Sequence, residues 1–554
     1  MAKEKKWYVA DFETTSERFY NENGYTKVWL YSICDSEANV VRYGYSIEDF
    51  FDYCYKNLLH CIVYFHNLKF DGSFILNYLF NNGYTYKDNL KARDKKGFST
   101  LIGEMGEYYQ IKVNFSSNRN IVFADSLKLL PFKVEKIAKD FNLPIRKLKI
   151  DYDDYTITQE KLEYIAHDVR IVAMALKVAK GEGMIKMTTA SSAYHYFWNM
   201  LNFSVQQIAF PELDTDFLVA YRQAYRGGRS MVNPRWQGKI LRGVKRYDIN
   251  SMYPYIMHDC WLPYGNPIKL DKPNQYRFEL YKIEIGFTLK KGHLPSLLKK
   301  GALFNLDSTY YYETEGVEIM YISNIDLELV QRNYDVYYLK YIEIYGFNTT
   351  DMLFKAYVDH FYNLKNKSVG ALRTMYKLFL NSLYGKFGTK IIKCCKIPKL
   401  ENEHLAYEKD VEKEGKHYYL PMAIAITSYA HKLLDDAIYL SGVDNFVYCD
   451  TDSVHTFGEL PKEMVDQKEL GKFKLEAVED ISKYVRQKTY VTKDNDGITI
   501  TCAGMNDDLK EKVVEEYGEN IFNIFDVGFK VNGKLLPKQV KGGTILHEST
   551  FEII

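Results

Sequence analysis

Apolar and polar positions alternate with a period close to two in four early stretches, WYVADFETT, VWLYSICDS, ANVVRYGYS and HCIVYFHN. That spacing predicts strands separated by polar turns over residues 7–65, with an aromatic, helix-like stretch from Phe50 to Asn57. Over residues 159–180 the period changes. Ile165, Val169, Val172 and Leu176 fall at helical spacing and Thr158 can cap the first turn, so a helix is predicted there. Past residue 190 come an aromatic helical stretch, a Tyr-Arg-Gly-Gly loop, a strand running into a turn (VKRYDINSMYP) and a long mixed region. A second helix, from Ser368 to Tyr384, and a strand hairpin, NFVYCDTDSVHTF, follow. Mixed α/β is the fold class this pattern implies, with the main boundary between residues 185 and 195.

Length changes the picture first. A chain of 554 residues exceeds one ordinary core and implies roughly two to four domains. Hydrophobic residues at 46% and charged residues at 26% exclude long disordered tails. Lys+Arg 73 against Asp+Glu 72 leaves a net charge of +1, unlike a small basic DNA-binding module. In a large enzyme this excludes little, because basic residues can line a channel while acidic ones cluster elsewhere. The eight cysteines form no CxxC pair, which excludes a zinc knuckle and predicts reduced thiols in a cytosolic compartment. No apolar signal core and no run of eighteen apolar residues is written, so a soluble, intracellular protein is expected.

Candidate chemistry lies in the carboxylates. Asp11 and Glu13 are two apart in a strand and leave the same face. Asp71 follows a strand in HNLKFDG, a loop-like context, and Asp168 lies on the 159–180 helix with Tyr164 one turn earlier. Four oxygen donors of this kind suit a pair of Mg²⁺ or Mn²⁺ ions roughly 3.5–4 Å apart, with Tyr164 orienting the attacking water. Each acid alone reads more simply as a cap or a solvated side chain. A second set ends strands: Asp248 in YDINSMYP, and Asp450 and Asp452 around a threonine in YCDTDS. Asp248 and Asp452 are the expected metal ligands and Asp450 a supporting acid, both of the pair in YCDTDS facing one way.

In KLFLNSLYGKFG, Lys377, Asn381 and Tyr384 share one helix stripe, extended a turn earlier by Arg373, and Gly385 is expected to end the helix. A lysine there suits a triphosphate, and the Asn and Tyr suit a nascent base pair. Tyr253 is placed to stand under a sugar and clash with a 2′-hydroxyl. Lys488 and Tyr490 in QKTY share a strand face, as a primer-contacting pair would.

DFETT, HNLKFDG and YIAHD, in that order, resemble the three-part signature of DEDD-type proofreading exonucleases in their tyrosine variant. YDINSMYP, KLFLNSLYG, YCDTDS and QKTY resemble the motifs of family B DNA polymerases, and AYRGG resembles the linker motif between their exonuclease and polymerase parts. The chain is most similar to the protein-primed, phi29-like polymerases of small bacteriophages with linear genomes. The resemblance implies an RNase H-like 3′-5′ exonuclease domain over 1–190 and a palm, fingers and thumb polymerase domain over 191–554. It also implies insertions near 258–350 and 391–419 and a thumb near 515–554. The lysines at 530, 534, 538 and 541 are expected to give that thumb a positive surface, with turns at Asn532-Gly533 and Gly542-Gly543.

By the same resemblance Asp11, Glu13, Asp71 and Asp168 hold the exonuclease metals, and Asn67, Phe70, Ser126, Leu127 and Lys147 bind the single-stranded 3′ end. Where relatives have Gly-Asp after that lysine, this chain has Leu148 and Lys149. Asp248, Ile249 and Asp452 hold the polymerase metals, and Ile249, Tyr253, Lys365, Lys377, Asn381 and Tyr384 bind the nucleotide. Tyr225, Arg226, Gly227, Gly228, Lys488 and Tyr490 contact DNA. The implied cofactors are two Mg²⁺ or Mn²⁺ ions per site. The implied partners are primer-template DNA, dNTPs, a terminal protein held as a heterodimer and a viral single-stranded DNA-binding protein, with no membrane, in a bacterial host cytoplasm. Three readings stand beside this one: a primer-extending family B polymerase without protein priming, a degenerate DNA-binding or assembly module, and a nuclease without polymerase activity, in which Asp452→Ala would leave every activity intact.

Overall fold

The computed structural model describes residues 5–148, 150–151, 153–300 and 309–554. The four early stretches form β1 (Trp7–Thr14), β2 (Val28–Asp35), β3 (Val40–Gly44) and β4 (Ile62–Phe65). With β5 (Thr85–Tyr86), β6 (Gly97–Ile102), β7 (Tyr108–Ser116) and β8 (Arg119–Asp125) they make one eight-stranded sheet, ordered β3-β2-β1-β4-β8-β7-β6-β5. Strand alternation sorts β1 between two cores. Ala10 and Phe12 pack with Phe50, Phe65 and the Leu68–Asn81 helix, whereas Trp7 and Val9 pack with the Gln159–Gly181 helix. Asp11 and Glu13 continue the Val9 face, so the period of two aims both carboxylates at that long helix. Thr158 caps it as predicted, its side chain accepting the Lys161 N–H.

The C-terminal part is organised by a five-stranded sheet ordered Phe473–Glu479, Val244–Ile249, Ser453–Thr456, Phe446–Asp450, Ser230–Val232. Against it lies the Leu420–Ser441 helix, apolar nearly all round and accordingly buried. The helices Lys355–Lys367 and Gly370–Phe387 pack on each other beside it. The second runs three residues past the predicted end. Gly385 sits inside it, facing open space, and Gly388 is the C-cap, because burial of Leu383 and Phe387 holds the last turn against the core.

Within 258–350 a separate four-stranded sheet forms, ordered Leu262–Lys269, Tyr334–Thr350, Phe278–Leu289, Glu318–Ser323, with its own small core. Over 391–419 the strands Lys396–Glu401 and His404–Lys409 form a hairpin whose Leu405 is buried in the core of the eight-stranded sheet. A last hairpin pairs Lys530–Val540 with Gly543–Glu552. Its tip seats on the N-terminal part: the Thr26 N–H donates to Lys541 O at 2.9 Å. A Cβ on Gly542, whose φ is +93°, would stand 2.1 Å from Thr26 O, which excludes any other residue there. Asn532-Gly533 is not a turn; it marks a register shift inside the strand, a β-bulge with Gly533 at φ +109°. The lysines here are partly neutralised, Lys530 by Glu552 and Lys541 by Glu403. Among the described residues no helix is long and apolar enough to cross a membrane.

Candidate active sites

Asp11, Glu13, Tyr164 and Asp168 line one cavity of about 190 Å³, together with His66 and Lys147. Asp71 lies behind it. Its context is the first turn of the Leu68–Asn81 helix, not a loop, so the helix N-terminus favours its charge while burial opposes it. The four acids repel one another. Burial first and then Asp168 push the Asp11 carboxyl up to about 7, and Glu13 rises through burial, Asp11 and Asp168. Asp71 rises through burial and Asp11, and Asp168 rises through burial although Lys147 opposes it. Lys147 is ion-paired to Asp168 and stands 5.1 Å over the Tyr164 ring. Leu148 packs beside Tyr164, and Lys149 lies outside the described residues.

Asn67 and Phe70 line a second cavity, of about 390 Å³, with Lys69, Lys396 and Pro537, Gln539 and Leu546 from the arms of the last hairpin. Ser126 is turned inward, its Oγ donating to Phe65 O at 3.0 Å, and Leu127 is half-buried beside it. His66, which the sequence did not single out, is fixed between Ser126 Oγ (2.9 Å) and Phe132 O (2.7 Å).

The second acidic centre lies on the five-stranded sheet. Asp248 pairs in register with Ser453, and the Ile249 N–H donates to Asp452 O at 2.8 Å, which brings Asp452 beside Asp248. Burial, then Asp452 and Glu476, push the Asp248 carboxyl up to about 7, against Lys377 and Lys474. Glu476 carries no sequence signal; it enters because Phe473–Glu479 pairs with the Asp248 strand. Asp450 faces elsewhere, gripped by Lys488 Nζ at 2.8 and 2.9 Å. The two acids of YCDTDS therefore do not face one way, since Thr451 between them has φ +58° and breaks the strand alternation.

Lys488 and Tyr490 also fail to share a strand face. Lys488 sits in the turn before Thr489–Asp494, at φ +55°, and Tyr490 packs among Tyr448, His455 and Tyr484. Lys377, Asn381 and Tyr384 share the expected stripe of Gly370–Phe387. Tyr384 stacks on Tyr253 with ring centroids 3.8 Å apart. Lys365 donates to Ser251 Oγ at 3.0 Å, and burial with Arg373 and Lys377 lowers its ammonium to about 8.

The Tyr-Arg-Gly-Gly loop presses on this centre. A Cβ on Gly228 would meet Thr451 Oγ1 at 2.7 Å, and one on Gly388 would meet the Tyr225 ring at 2.5 Å. Arg226 departs from the expectation of a DNA contact: it is buried and its guanidinium donates to Leu298 O (3.1 Å) and to more distant carbonyls. Arg229, fully buried, supports the turn from below. It donates to Asp435 Oδ1 at 2.6 Å while its own carbonyl accepts the Thr451 N–H at 2.7 Å. The Gly227 carbonyl accepts from His431 Nε2 at 2.7 Å, and His431 Nδ1 meets Asp326 at 3.0 Å. Because Thr451 is held from both sides, Gly228→Ala is expected to slow nucleotide incorporation roughly tenfold to a hundredfold and spare shortening of single strands. Single-nucleotide incorporation assays alongside primer degradation check this; unchanged incorporation would mean the turn has slack.

Among the described residues no three acidic, His or Cys side chains converge as a ready-made coordination cage. The donor sets nonetheless suit divalent cations. Both are hard oxygen donors with more negative charge than their lysines neutralise, and Asp168 Oδ1 is buried without a hydrogen-bond partner.

A nucleic-acid-processing α/β enzyme with two separate acidic centres is thus defined by fold and site. The chain belongs to the type B DNA polymerases, organellar and viral, whose family model matches residues 56–154 and 152–470. Within that family it groups with the phi29-like phage DNA polymerases. It is 36% identical to the DNA polymerase of Bacillus phage phi29 and 34% identical to that of Bacillus phage Nf, each covering 99% of this chain and at least 99% of the relative. The solved phi29 DNA polymerase complexed with primer-template DNA and incoming nucleotide superimposes with a TM-score of 0.90 at 33% identity, over the whole of both chains.

Proposed function

We propose that this DNA polymerase extends DNA at Asp248 and Asp452 and proofreads it 3′-to-5′ at Asp11, Glu13, Asp71 and Asp168. Synthesis begins, on this reading, from a hydroxyl of a separate terminal protein and continues with displacement of the other strand. One observation carries it: two groups of buried, mutually repelling carboxylates occupy separate sheets, one beside Lys147 and the other beside Lys377 and Lys474. Two Mg²⁺ or Mn²⁺ ions per centre, when bound, would supply Lewis-acid stabilisation of the attacking and leaving oxygens.

The side chains do the rest. Lys377, across from Asp248 and Asp452, faces the triphosphate, and Lys365, held by Ser251, assists it. Asn381 and Tyr384 meet the nascent base pair. Tyr253, stacked under Tyr384, leaves no room for a 2′-hydroxyl. Lys488, locked by Asp450, and Tyr490 steady the primer, while Tyr225 and the two glycines after it guide the template. In the other centre Tyr164 orients the attacking water, Lys147 balances Asp168, and Asn67, Phe70 and Leu127 hold the unpaired 3′ end, while the expected contact from Ser126 is not available to its inward-turned side chain, which anchors His66 and Phe65 beneath them. On this reading 1–190 is the exonuclease domain and 191–554 the polymerase domain, with the thumb near 515–554. The sheet within 258–350 and the hairpin within 391–419 serve the terminal protein and the DNA channel. The solved relatives bound to primer-template DNA, to incoming nucleotide and to single-stranded DNA support these ligands here.

Extension of a primed circular template with dNTPs and Mg²⁺ tests the polymerase part, and long displaced product is expected. Protein priming is tested apart from it, by supplying labelled dNTPs, the candidate terminal protein and no DNA primer. Label joined covalently to that protein is expected; extension without such label would leave a conventional primer-extending polymerase.

A further inference from the structure

Beneath the catalytic hairpin, apart from both acidic centres, lies a buried cluster of charges. Arg229, between the Tyr-Arg-Gly-Gly loop and the Ser230–Val232 strand, is fully buried, as is Asp435 on the Leu420–Ser441 helix. Arg229 donates through Nη1 to Asp435 Oδ1 at 2.6 Å and through Nη2 to Pro295 O at 3.0 Å. The other oxygen of Asp435 accepts from Arg332 Nη1 at 3.2 Å and from Asn333 Nδ2 at 3.3 Å. Those two residues end the Asn324–Asn333 helix, which packs on the separate sheet within 258–350. Arg332 also reaches Asp436 at 2.6 Å. One carboxylate thus ties together the loop, the long helix and the inserted sheet.

Arg229 and Arg332 against Asp435 and Asp436 leave the cluster without net charge, so it asks for no ion or ligand from outside. Stability alone explains it poorly. Burying a charge pair costs desolvation that well-packed apolar side chains of the same volume would avoid. What a guanidinium adds is direction, because its planar fork fixes where the backbone carrying it must lie. Here that backbone supports the catalytic turn. The Arg229 carbonyl accepts the Thr451 N–H at 2.7 Å, and the next residue, Ser230, pairs in register with Asp450. Thr451, at φ +58°, turns the chain between Asp450 and Asp452. A shift of Arg229 therefore moves the peptide that aims the Asp452 carboxylate, and a misplacement of about 1 Å suffices to cost about a hundredfold in rate.

We propose that Arg229 and Asp435, with Arg332 bracing their shared carboxylate, are positioning residues for nucleotide incorporation. Sealed inside the protein, they act through the Arg229 carbonyl on Thr451 and so on Asp452. The assignment rests on the polymerase reading above. It also makes the inserted sheet, through Arg332, a working part of the polymerase centre when synthesis starts from an ordinary DNA primer.

The test replaces the pair by apolar residues of similar volume, Arg229→Met with Asp435→Leu, which leaves Arg332 its partner Asp436. The double variant is expected to melt at or above the wild-type temperature, to shorten labelled single strands at the wild-type rate and to bind primed DNA as tightly. Its kcat for single-nucleotide incorporation on a DNA primer is expected to fall about tenfold to a hundredfold, with KM for the dNTP changed less than about twofold. Arg229→Lys, which keeps a donor toward Asp435 without the fork, is expected to fall between the double variant and the wild type. A kcat within about twofold of wild type in the double variant overturns the proposal. So does a loss shared equally by both activities and matched by a lower melting temperature, the mark of a merely structural pair. Should the double variant not fold, Arg332→Met, at a partly exposed position, carries the same test. A kcat lowered about threefold at unchanged KM then supports the proposal, and an unchanged kcat overturns it. Failure of the wild-type protein to extend any primer would instead sink the polymerase reading itself.

Discussion

Asp452→Ala is expected to depress nucleotide incorporation at least about a thousandfold while leaving primer shortening at the wild-type rate. The reason is the small number of oxygen donors at this centre. Asp450, two residues away, cannot substitute, because Lys488 holds both of its oxygens and the left-handed Thr451 aims it elsewhere. Glu476 is near enough to raise the Asp248 carboxyl, but it lies on the flanking strand and lacks the backbone link that ties Asp452 to Ile249. A thousandfold loss corresponds to about 4 kcal/mol of transition-state stabilisation, in the range expected when one of two metal-holding groups is removed.

The fold should survive the change. In the protein without divalent ions Asp452 is a buried like charge beside Asp248, so its removal relieves repulsion and the thermal midpoint without Mg²⁺ is expected to hold or rise. Incorporation of a single dNTP and degradation of a labelled single strand, measured on one preparation, check both halves. A drop of less than tenfold, or a parallel loss of primer shortening, would refute the separation of the two centres.

How much of this was legible depends on how local each feature is. Asp11 and Glu13 were readable because a strand fixes the face of every second residue, and Tyr164 with Asp168 because a helix does so every fourth. Lys377, Asn381 and Tyr384 obeyed the same rule. The misreadings sit where the backbone leaves its period. The spacing reads Asp71 as a loop residue because the helix begins only three residues earlier, after Asn67 in a left-handed conformation that no spacing announces. Thr451 and Lys488 are likewise at positive φ, and each breaks an alternation that the sequence suggests. Gly385 looked like a helix end, yet tertiary burial of Phe387 carried the helix through it.

What could not be read at all is contact across long separations. His431 reaches Asp326 over 105 residues, and Arg229 reaches Asp435 over 206. Neither pair has a motif. Both exist because the Leu420–Ser441 helix passes under the catalytic turn, and a buried charge there must find a partner.

The other large effect concerns the exonuclease centre, where Mg²⁺ is expected to raise the melting temperature more at pH 8 than at pH 6. Asp11 titrates near 7 in the ion-free fold, far above an ordinary aspartate, through burial and the neighbouring Asp168. Glu13, Asp71 and Asp168 shift the same way. For an acid whose folded pKa is raised, the fold holds the proton more tightly than the unfolded chain does. Its contribution therefore favours folding at low pH and is lost as pH climbs from the ordinary carboxylate range towards about 7.

Cations reverse that loss by binding the ionised set, and below about pH 7 they must first displace protons. Calorimetric titrations of Mg²⁺ in buffers of different ionisation enthalpy should show proton release near pH 6.5 that fades by about pH 8.5. Asp11→Ala is expected to cut primer shortening at least about a thousandfold, to leave incorporation unaffected, and to flatten the pH dependence of the ion-free melting temperature. If the ion-free wild-type protein instead grew more stable between about pH 5 and 7, with no proton release on adding Mg²⁺, the crowding of these four carboxylates would not exist in solution.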